Sequence, residues 1–584
     1  MKYWSVSELR RWFLKFSLLI RQRSMSAHTS SVTSRRHVLA SAALAAMAMP
    51  VTHRSPALRP MARRHNGIHP APLPETPQAL TLFTINEFDS TPHACKLSMS
   101  VPSQSWQRAW FKWGNAPDWQ AITGDVQKAH QVGALFGGGT TCSALYPHEN
   151  GITTAQFMNM ATRDPHGKLF LVSNSYYHGS VVCPAYRRYV LHWAKLQIDA
   201  GVDTLFMDEV NGAYCDLEGY DSYGLAAFRH YLIRRFVQGE HWTIQDSRWK
   251  TQFGIDLSDS KECSDHSIRT FDYAAYLRKN HWADQPQQKH NPLSGVWGSP
   301  IWWGPSESLT EDTYCAWRNN SVWHYWVTHI RAYAARRHRR VWIAANGLNR
   351  WVDYQIGSGA AIWQFPRTPN GQLNCTSSYL SDWRSYYQYS KELLNGKEVP
   401  IMIFNDWGVG FPWMDKLTDA ERVAWLRAYA PEIFAAGLFF AYPVLGPYNC
   451  NAATNGTLEV MRRQAQFVKM VSPLLRTVIW QDPAMAAYTG KAEITIQSQP
   501  NTHRLIVHLI NRQYQGLTPI KQSHQILRLA TARCPKTIRI HNADTGTVTA
   551  AKCMYDSQQR LLGCRTARIT IPSLLTWNIV EVVL

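Results

Sequence analysis

The chain has 584 residues, of which 45% are hydrophobic and 12% aromatic, including 25 Trp. It is too long for one compact domain of roughly 100 to 250 residues, so we expect a large domain and a smaller one. The formal net charge is +20, but the first 65 residues hold 12 Lys or Arg and one acid, which leaves +9 for the rest. The basicity therefore belongs mainly to the leader, and it does not indicate a nucleic-acid-binding module.

The amino terminus carries a motif typical of a twin-arginine export signal. Residues 34–39 read SRRHVL, and a small apolar run with an A-x-A site at residues 46–48 follows them. We therefore expect residues 1–48 to be a signal peptide, with Met25 as an alternative start, and the mature protein to be periplasmic or extracellular. A structural helix that begins with two arginines is the alternative. The later sequence contains no segment long and apolar enough to span a membrane.

Buried strands and amphipathic helices alternate through most of the chain. Residues 49–76, rich in Pro, Arg and His, predict a disordered linker, and the alternation runs over residues 77–476. It favours a (β/α)8 TIM barrel, with a doubly wound sheet as the alternative. The predicted strands are 79–85, 132–136, 168–172, 202–207, 341–345, 360–365, 399–404 and 438–442.

A long insertion follows the fourth predicted strand and its helix, at about residues 238–308. Loops longer than about 15 residues are usually functional or disordered, and this one is rich in aromatic residues. We expect a lid or subdomain over the site.

The last part of the chain, residues 477–584, changes to a period of two. Short alternating strands with turn residues between them predict an antiparallel β-sandwich. The predicted strands are 492–496, 504–510, 525–529, 537–540, 567–571 and 577–583.

One stretch organises the prediction of function. A helix that begins at Pro184 and ends at Gly201 is followed by the short buried strand 202–207, which stops at Asp208 and Glu209. Ligands bind at the carboxyl ends of parallel strands in α/β folds. The alternative is that the two acids cap the next helix or form a solvated turn.

Four stretches of the sequence carry a resemblance to a known family. They are CPAYRRYVLHWAKLQIDAGVDTLFMDEV, FNDWG, AAGLFFAYPV and RLIVHLINR, which begin at residues 183, 404, 435 and 504. In these stretches the sequence resembles the bacterial glycoside hydrolases with an α-galactosidase-like or β-galactosidase-like barrel. The resemblance implies a catalytic barrel followed by a β-sandwich, with an essential acid at the end of strand four. Asp208 matches that acid, and Glu209 matches a second acid often seen there.

Glycoside hydrolysis needs two carboxyl groups, because one protonates the leaving oxygen and the other attacks the anomeric carbon or activates water. Strand alternation predicts that Asp208 faces inward, as the nucleophile or base. Asp406, after strand seven, is the predicted general acid, or alternatively a residue of an N-D-W-G turn. Glu209 is a second acid, a ligand of a sugar hydroxyl, or a residue that orders its loop. Glu87 and Asp353 are reserve carboxylates.

Further residues at predicted strand ends and in the insertion could bind the sugar. His178 and Asn346 could form hydrogen bonds to hydroxyl groups, or could only order their loops. Tryptophans suit the walls of a sugar subsite, although core packing is the alternative for each one. The tryptophans in question are Trp302, Trp303, Trp363 and Trp407.

These residues predict a secreted glycosidase that cleaves O-glycosidic bonds of an oligo- or polysaccharide by a two-carboxylate mechanism. A catalytically inactive carbohydrate-binding protein on the same scaffold is the alternative. A metal-dependent hydrolase would need a His-x-His motif or another ligand cluster, and the sequence shows neither. The eleven cysteines form no C-x-x-C pair. We therefore expect no metal and no cofactor.

Overall fold

The structure of the chain is a computed structural model. It describes residues 83–86, 104–107, 119–131, 135–172, 176–208, 216–298, 311–346, 351–357, 366–393, 400–403, 417–440, 454–475, 478–499 and 502–584. The predicted signal peptide and linker lie outside these ranges. The described helices include none with the length and apolar character needed to cross a membrane.

Eight parallel strands form the first sheet, and they follow one another in chain order. Every neighbouring pair from the first strand to the eighth is hydrogen-bonded and parallel. A doubly wound sheet would reverse its strand order at a switch point, so that alternative is wrong and the TIM barrel is confirmed. The strands are β1 (Phe83–Asn86), β2 (Gln104–Gln107), β3 (Leu135–Thr141), β4 (Thr204–Asp208), β5 (Trp342–Asn346), β6 (Tyr354–Gly357), β7 (Ile401–Ile403) and β8 (Phe439–Phe440).

Helices cover the strands and frame the insertion. Several begin after a residue whose side chain caps the first turn, such as Thr313 and Thr418. The helices are α1 (Trp119–Gln131), α2 (Thr154–Met160), α3 (Pro184–Ala200), α4 (Ser222–Leu232), α5 (Arg248–Phe253), α6 (Tyr273–Lys279), α7 (Ser294–Trp297), α8 (Tyr314–Arg336), α9 (Leu380–Leu393), α10 (Asp419–Ala435) and α11 (Asn455–Val471).

Strand β4 shows the predicted alternation. Leu205 and Met207 belong to an apolar cluster with residues of α3 and α8, whereas Phe206 belongs to a different cluster with Trp342 and Ala344 of β5. Successive side chains of a strand point to opposite faces, so Phe206 faces the barrel interior. The helix before this strand also ends as predicted, because Gly201 adopts a left-handed φ of 108°.

The prediction of a third barrel strand at 168–172 is wrong. Leu171–Val172 belongs instead to a small antiparallel sheet with Ala144–Leu145 and Tyr176–His178. A short apolar run does not reveal which sheet it joins, and Leu171 is 42% exposed, unlike a barrel residue.

Two barrel strands were not predicted at all. β2 has the sequence QSWQ, which carries no apolar run, and β6 has the sequence YQIG. The strand predicted at 360–365 lies outside the described residues, and the place after β5 in the sheet is taken by β6.

The glycine run predicted to end a strand lies inside β3, where it lets α3 approach closely. Gly139 N–H donates to Oε1 of Gln197 (2.8 Å), and Nε2 of Gln197 donates to the Gly139 carbonyl (3.1 Å). A Cβ on Gly138 would lie 2.3 Å from that Oε1. The register with β2 ends at Gly137, so Gln197 supplies partners beyond the point where that ladder stops.

The insertion after β4 has a hydrophobic core of its own. A π-helical segment, Ile233–Gly239, continues α4, and aromatic residues of α4 to α7 pack together. Trp297 is fully buried and stacks on Tyr220, with ring centroids 5.0 Å apart. The described aromatic residues of the insertion therefore mainly stabilise a subdomain, with Trp297 in its core.

Two antiparallel sheets follow the barrel and enclose an apolar core, which confirms the β-sandwich. The six-stranded sheet has the order β9-β11-β12-β18-β14-β15, and the four-stranded sheet has the order β10-β13-β17-β16. The strands are β9 (Ile479–Trp480), β10 (Ala486–Tyr488), β11 (Ala492–Gln499), β12 (Arg504–Asn511), β13 (Gln522–Ala530), β14 (Thr537–Asn542), β15 (Thr547–Ala550), β16 (Cys553–Leu561), β17 (Cys564–Leu574) and β18 (Trp577–Val583).

The six-stranded sheet is fixed to the barrel helices by a buried ion pair. Arg512, which follows β12, donates to the carboxylate of Glu432 on α10 and to the carbonyl of Ala428 (2.9 Å). Glu432 is fully buried and also accepts from the N–H of Tyr379 (3.0 Å). Removing one partner of such a pair costs about 3–5 kcal/mol, because the other charge stays buried without compensation.

A buried histidine in the sandwich predicts a specific dependence of stability on pH. Nε1–H of Trp577 donates to Nδ1 of His508 (3.3 Å), so the imidazole proton is on Nε2, which lies 3.3 Å from Oε1 of Gln497. Burial lowers the pKa of His508 to about 3. Below about pH 6.5, the ordinary His value, the unfolded chain therefore binds a proton that the folded chain does not.

We expect the free energy of unfolding to fall as the pH drops from about 6.5 toward 3, with His508 contributing up to about 1.4 kcal/mol per pH unit. His508→Gln, which cannot titrate, should remove this share of the slope. Urea unfolding at a series of pH values measures it, and the exposed His329→Gln is the control. If the free energy of unfolding depends on pH with the same slope in wild type and His508→Gln, the assignment to His508 is wrong.

A second prediction concerns the end of α8. His338 has a left-handed φ of 54°, and the N–H groups of His338 and Arg339 donate to the carbonyls of Ala335 and Ala334 (both 2.9 Å). This is a Schellman motif, in which the left-handed position usually holds glycine because a side chain is strained there.

His338→Gly should therefore stabilise the protein by about 1 kcal/mol at pH 8. His329→Gly, at an exposed position inside the same helix, should destabilise it by about the same amount. Thermal or urea unfolding measures both effects, and a loss of stability in both variants would refute the strain argument.

Candidate active site

The candidate site lies at the carboxyl ends of the barrel strands. Asp208 is the last residue of β4 and pairs in register with Thr141, the last residue of β3. Asn346 is the last residue of β5, and the register from Met207 to Ala345 places the ends of β4 and β5 side by side. Three consecutive strands thus end at one level on the face where TIM barrels carry their active sites.

The predicted site residues fall into three groups. Asp208 and Asn346 end barrel strands as predicted, and only their backbone is described. His178 lies elsewhere. The remaining ones lie outside the described residues and stay predictions, namely Glu87, Glu209, Trp302, Trp303, Trp363, Asp406 and Trp407.

The position predicted for His178, at the end of a barrel strand, is wrong. It ends the strand Tyr176–His178 of the small antiparallel sheet, because the run at 168–172 belongs to that sheet and not to the barrel. Its side chain is 2% exposed, and Nδ1 lies 2.5 Å from Oε2 of Glu218. Its ring also packs against Phe170, with centroids 5.4 Å apart. These contacts hold the His178 side chain against Glu218 and Phe170.

Glu218 belongs to a feature that the sequence did not reveal, a small cavity beside the mouth of the barrel. The cavity can hold about one water molecule, and Ser143, two residues beyond the end of β3, places it at the carboxyl face. Glu218 and Arg318 are 5% and 3% exposed and offer a carboxylate and a guanidinium to a small polar group. Other lining residues are Thr162, Gly179 and Tyr314.

The chain returns from the end of β4 to a firmly anchored residue. Asp221 accepts hydrogen bonds from the hydroxyls of Thr162 (2.9 Å) and Ser180 (3.0 Å), and from the N–H groups of Tyr223 and Gly224 at the start of α4. One carboxylate thus caps α4 and ties it to the small sheet. Asp221, 13 residues after the end of β4, is therefore firmly held in place.

The reserve carboxylate Asp353 has a structural role. It immediately precedes β6, so it lies at the amino end of that strand, away from the carboxyl face. Oδ2 accepts from the N–H of Ile343 (2.8 Å), and Oδ1 accepts from Nη2 of Arg331 (2.8 Å). The contact with β5 and the ion pair account for an acid at position 353 without a catalytic role.

Within the described ranges there is no cluster of three or more His, Cys, Asp or Glu side chains that could hold a metal ion.

Comparison with known proteins gives a fold and no family. No protein-family model and no curated protein matches the chain. Among solved structures, it is similar to a cycloisomaltooligosaccharide glucanotransferase from Paenibacillus sp. complexed with cycloisomaltoheptaose, with a TM-score of 0.51 and 9% identity over 86% of this chain and 85% of that one.

Two further structures are similar at lower TM-scores. The α-amylase from Geobacillus thermoleovorans complexed with acarbose has a TM-score of 0.45 at 9% identity, over 87% of this chain and 99% of that one. The α-L-fucosidase isoenzyme 2 from Paenibacillus thiaminolyticus has a TM-score of 0.42 at 9% identity, over 87% and 100%. The similarity to the glucanotransferase, at 9% identity, is one of fold.

Proposed function

We propose that this protein is a glycoside hydrolase in which Asp208 is one of two catalytic carboxyl groups. The observation that carries the proposal is the place of Asp208 as the last residue of β4, at the carboxyl face of a TIM barrel. By the period of two along a strand, position 208 shares the face of Phe206, which packs in the barrel interior.

Asp406 is the proposed partner, as the general acid. It stands three positions after Ile403, the last residue of β7, and β7 lies three strands away from β4 around the sheet. Acids from well-separated strands can approach a glycosidic bond from two sides, as an oxocarbenium-like transition state requires. Glu209 is the second candidate for this role, and it directly follows Asp208.

The proposed substrate is an oligo- or polysaccharide. The aromatic side chains Trp302, Trp303, Trp363 and Trp407 are proposed to contact its sugar rings, and Glu87 and Asn346 its hydroxyl groups. Support comes from the similarity of the fold to that of the glucanotransferase complexed with cycloisomaltoheptaose, and from the position of Asn346 beside Asp208.

The catalytic proposal is tested by replacing one carboxylate at a time. On a panel of aryl glycosides and polysaccharides, Asp208→Asn and Asp406→Asn should lower kcat/KM by about 100- to 10,000-fold, the usual contribution of acid or base catalysis. Asp353→Asn is the matched control, because the same change at the amino end of the barrel should lower stability and leave kcat per folded enzyme unchanged.

Full activity of Asp208→Asn would refute its role. If wild type binds a polysaccharide on the panel and hydrolyses none of the compounds, the protein is instead an inactive carbohydrate-binding protein. If wild type hydrolyses a compound, NMR of the anomer released first shows whether the configuration is retained or inverted. Retention indicates carboxyl groups about 5–5.5 Å apart, and inversion indicates about 6.5–9.5 Å.

We further propose that the enzyme acts outside the cytoplasm after twin-arginine export. The support is the SRRHVL motif at residues 34–39 and the apolar run after it. A reporter fused behind residues 1–76 should reach the periplasm, and Arg35→Lys with Arg36→Lys should keep it in the cytoplasm. Equal export of the two fusions would rule out the twin-arginine route.

A further inference from the structure

The charge of the chain beyond its leader is unevenly distributed. Residues 66–477 hold 37 Lys or Arg and 35 acids, whereas residues 478–584 hold 12 Lys or Arg and only 5 acids. The sandwich therefore carries +7 of the +9 that follows the leader. The surface of the sandwich is therefore predominantly basic.

The acids of the sandwich are mostly used within the structure. Glu581 is 3% exposed and lies near Arg504 and Arg539. Asp544 accepts hydrogen bonds from the hydroxyl and the N–H of Thr576. Little negative charge is left to balance the exposed arginines.

The four-stranded sheet is the outer layer of the sandwich. The six-stranded sheet contributes Ile506 and Trp577 to the cluster shared with the barrel helices. Leu527 and Ile569 of the four-stranded sheet belong to the core between the two sheets. Because side chains alternate along each strand, the intervening residues form a second face that is turned away from that core.

Two arginines lie directly opposite each other on this outer face. Arg528 of β13 pairs in register with Arg568 of β17, and both are exposed. The same row continues to Ala487 of β10 on one side and to Met554 of β16 on the other, and Met554 is 68% exposed. The next row holds Ile526 and Thr570.

This arrangement has a cost that no described residue offsets. Like charges directly opposite on antiparallel strands destabilise a sheet. Neither Arg528 nor Arg568 forms a hydrogen bond or ion pair with a residue in the described part of the chain. Asp556, paired with Thr566 one row away, is the acid of this face. An external anion would remove the repulsion between the guanidinium groups.

We propose that the outer face of the four-stranded sheet binds an acidic polysaccharide, whose carboxylates lie on Arg528 and Arg568. Guanidinium groups bind carboxylates in a bidentate manner, and two of them side by side suit a polymer with repeated carboxylates. Met554 and Ile526 provide apolar surface beside them for the carbon skeleton of the sugar rings.

A polysaccharide fits this face better than a nucleic acid does. Proteins that bind single strands stack bases on aromatic side chains, and the outer-face positions in these rows include no Phe, Tyr or Trp. The choice of a polysaccharide also rests on the proposed function. Because the ion pair of Arg512 with Glu432 fixes the sandwich to the barrel, a polymer bound to the four-stranded sheet stays close to the barrel that carries the proposed active site.

The test uses the full chain without its signal peptide and polygalacturonate as the probe, with neutral dextran, duplex DNA and anionic phospholipid vesicles as comparisons. Wild type should bind polygalacturonate, more weakly as salt rises, and should not bind dextran through this face. Arg528→Gln combined with Arg568→Gln should weaken the binding at least about tenfold. The double variant should hydrolyse small aryl glycosides like wild type.

Lys491→Gln combined with Lys536→Gln is the matched control, since it removes two exposed charges flanking strands of the six-stranded sheet. Equal weakening by both double variants, or none by the arginine variant, would overturn the proposal. Arginine-dependent binding of DNA or vesicles that is as tight as that of polygalacturonate would show the wrong partner class. Arginine-dependent polygalacturonate binding without any hydrolysis would refute the proposed function and leave this inference standing.

Discussion

The parallel hydrogen-bond ladder from β1 to β8 is the constraint on which the rest of the structure depends. Because all eight strands run in one direction, every carboxyl end lies on one face and every helix must return on the outside. That geometry puts the residue after Met207 and the residue after Ala345 side by side, although 138 positions separate them in the chain. It also leaves the opposite face for stabilising contacts, such as those of Asp203, whose carboxylate contacts His130 and the N–H of Phe136.

The strongly periodic elements were predictable from the sequence, and the short or polar ones were not. Helix α3 and strands β4 and β5 follow from apolar spacing and, for α3, from the cap at Gly201. β2 was missed because QSWQ has no apolar run, since a four-residue strand gains its stability from neighbours rather than from its own composition. The misplacement of the run at 168–172 led directly to the wrong position for His178.

The residues of the candidate site differ in the same way in how far the sequence predicts them. A carboxylate that ends a buried strand, such as Asp208, can be recognised in the sequence because the strand is local. Glu218 lies shortly before α4 and Arg318 lies in α8, yet these residues, 100 positions apart, line one cavity, and no local pattern records that proximity. In the same way, the register of Arg528 with Arg568 depends on how the sandwich strands pair, so it became visible only in the folded chain.

Histidines occupy an unusual share of the left-handed backbone positions. Of the non-glycine residues with positive φ in the described ranges, His148, His241, His266, His281, His338, His503 and His524 are all histidines. At each of these positions the histidine lowers the stability of the folded state by on the order of 1 kcal/mol relative to glycine. The fold therefore holds a reserve of thermal robustness distributed over its surface turns, which protein engineering could recover without altering the hydrophobic cores or the ends of the barrel strands.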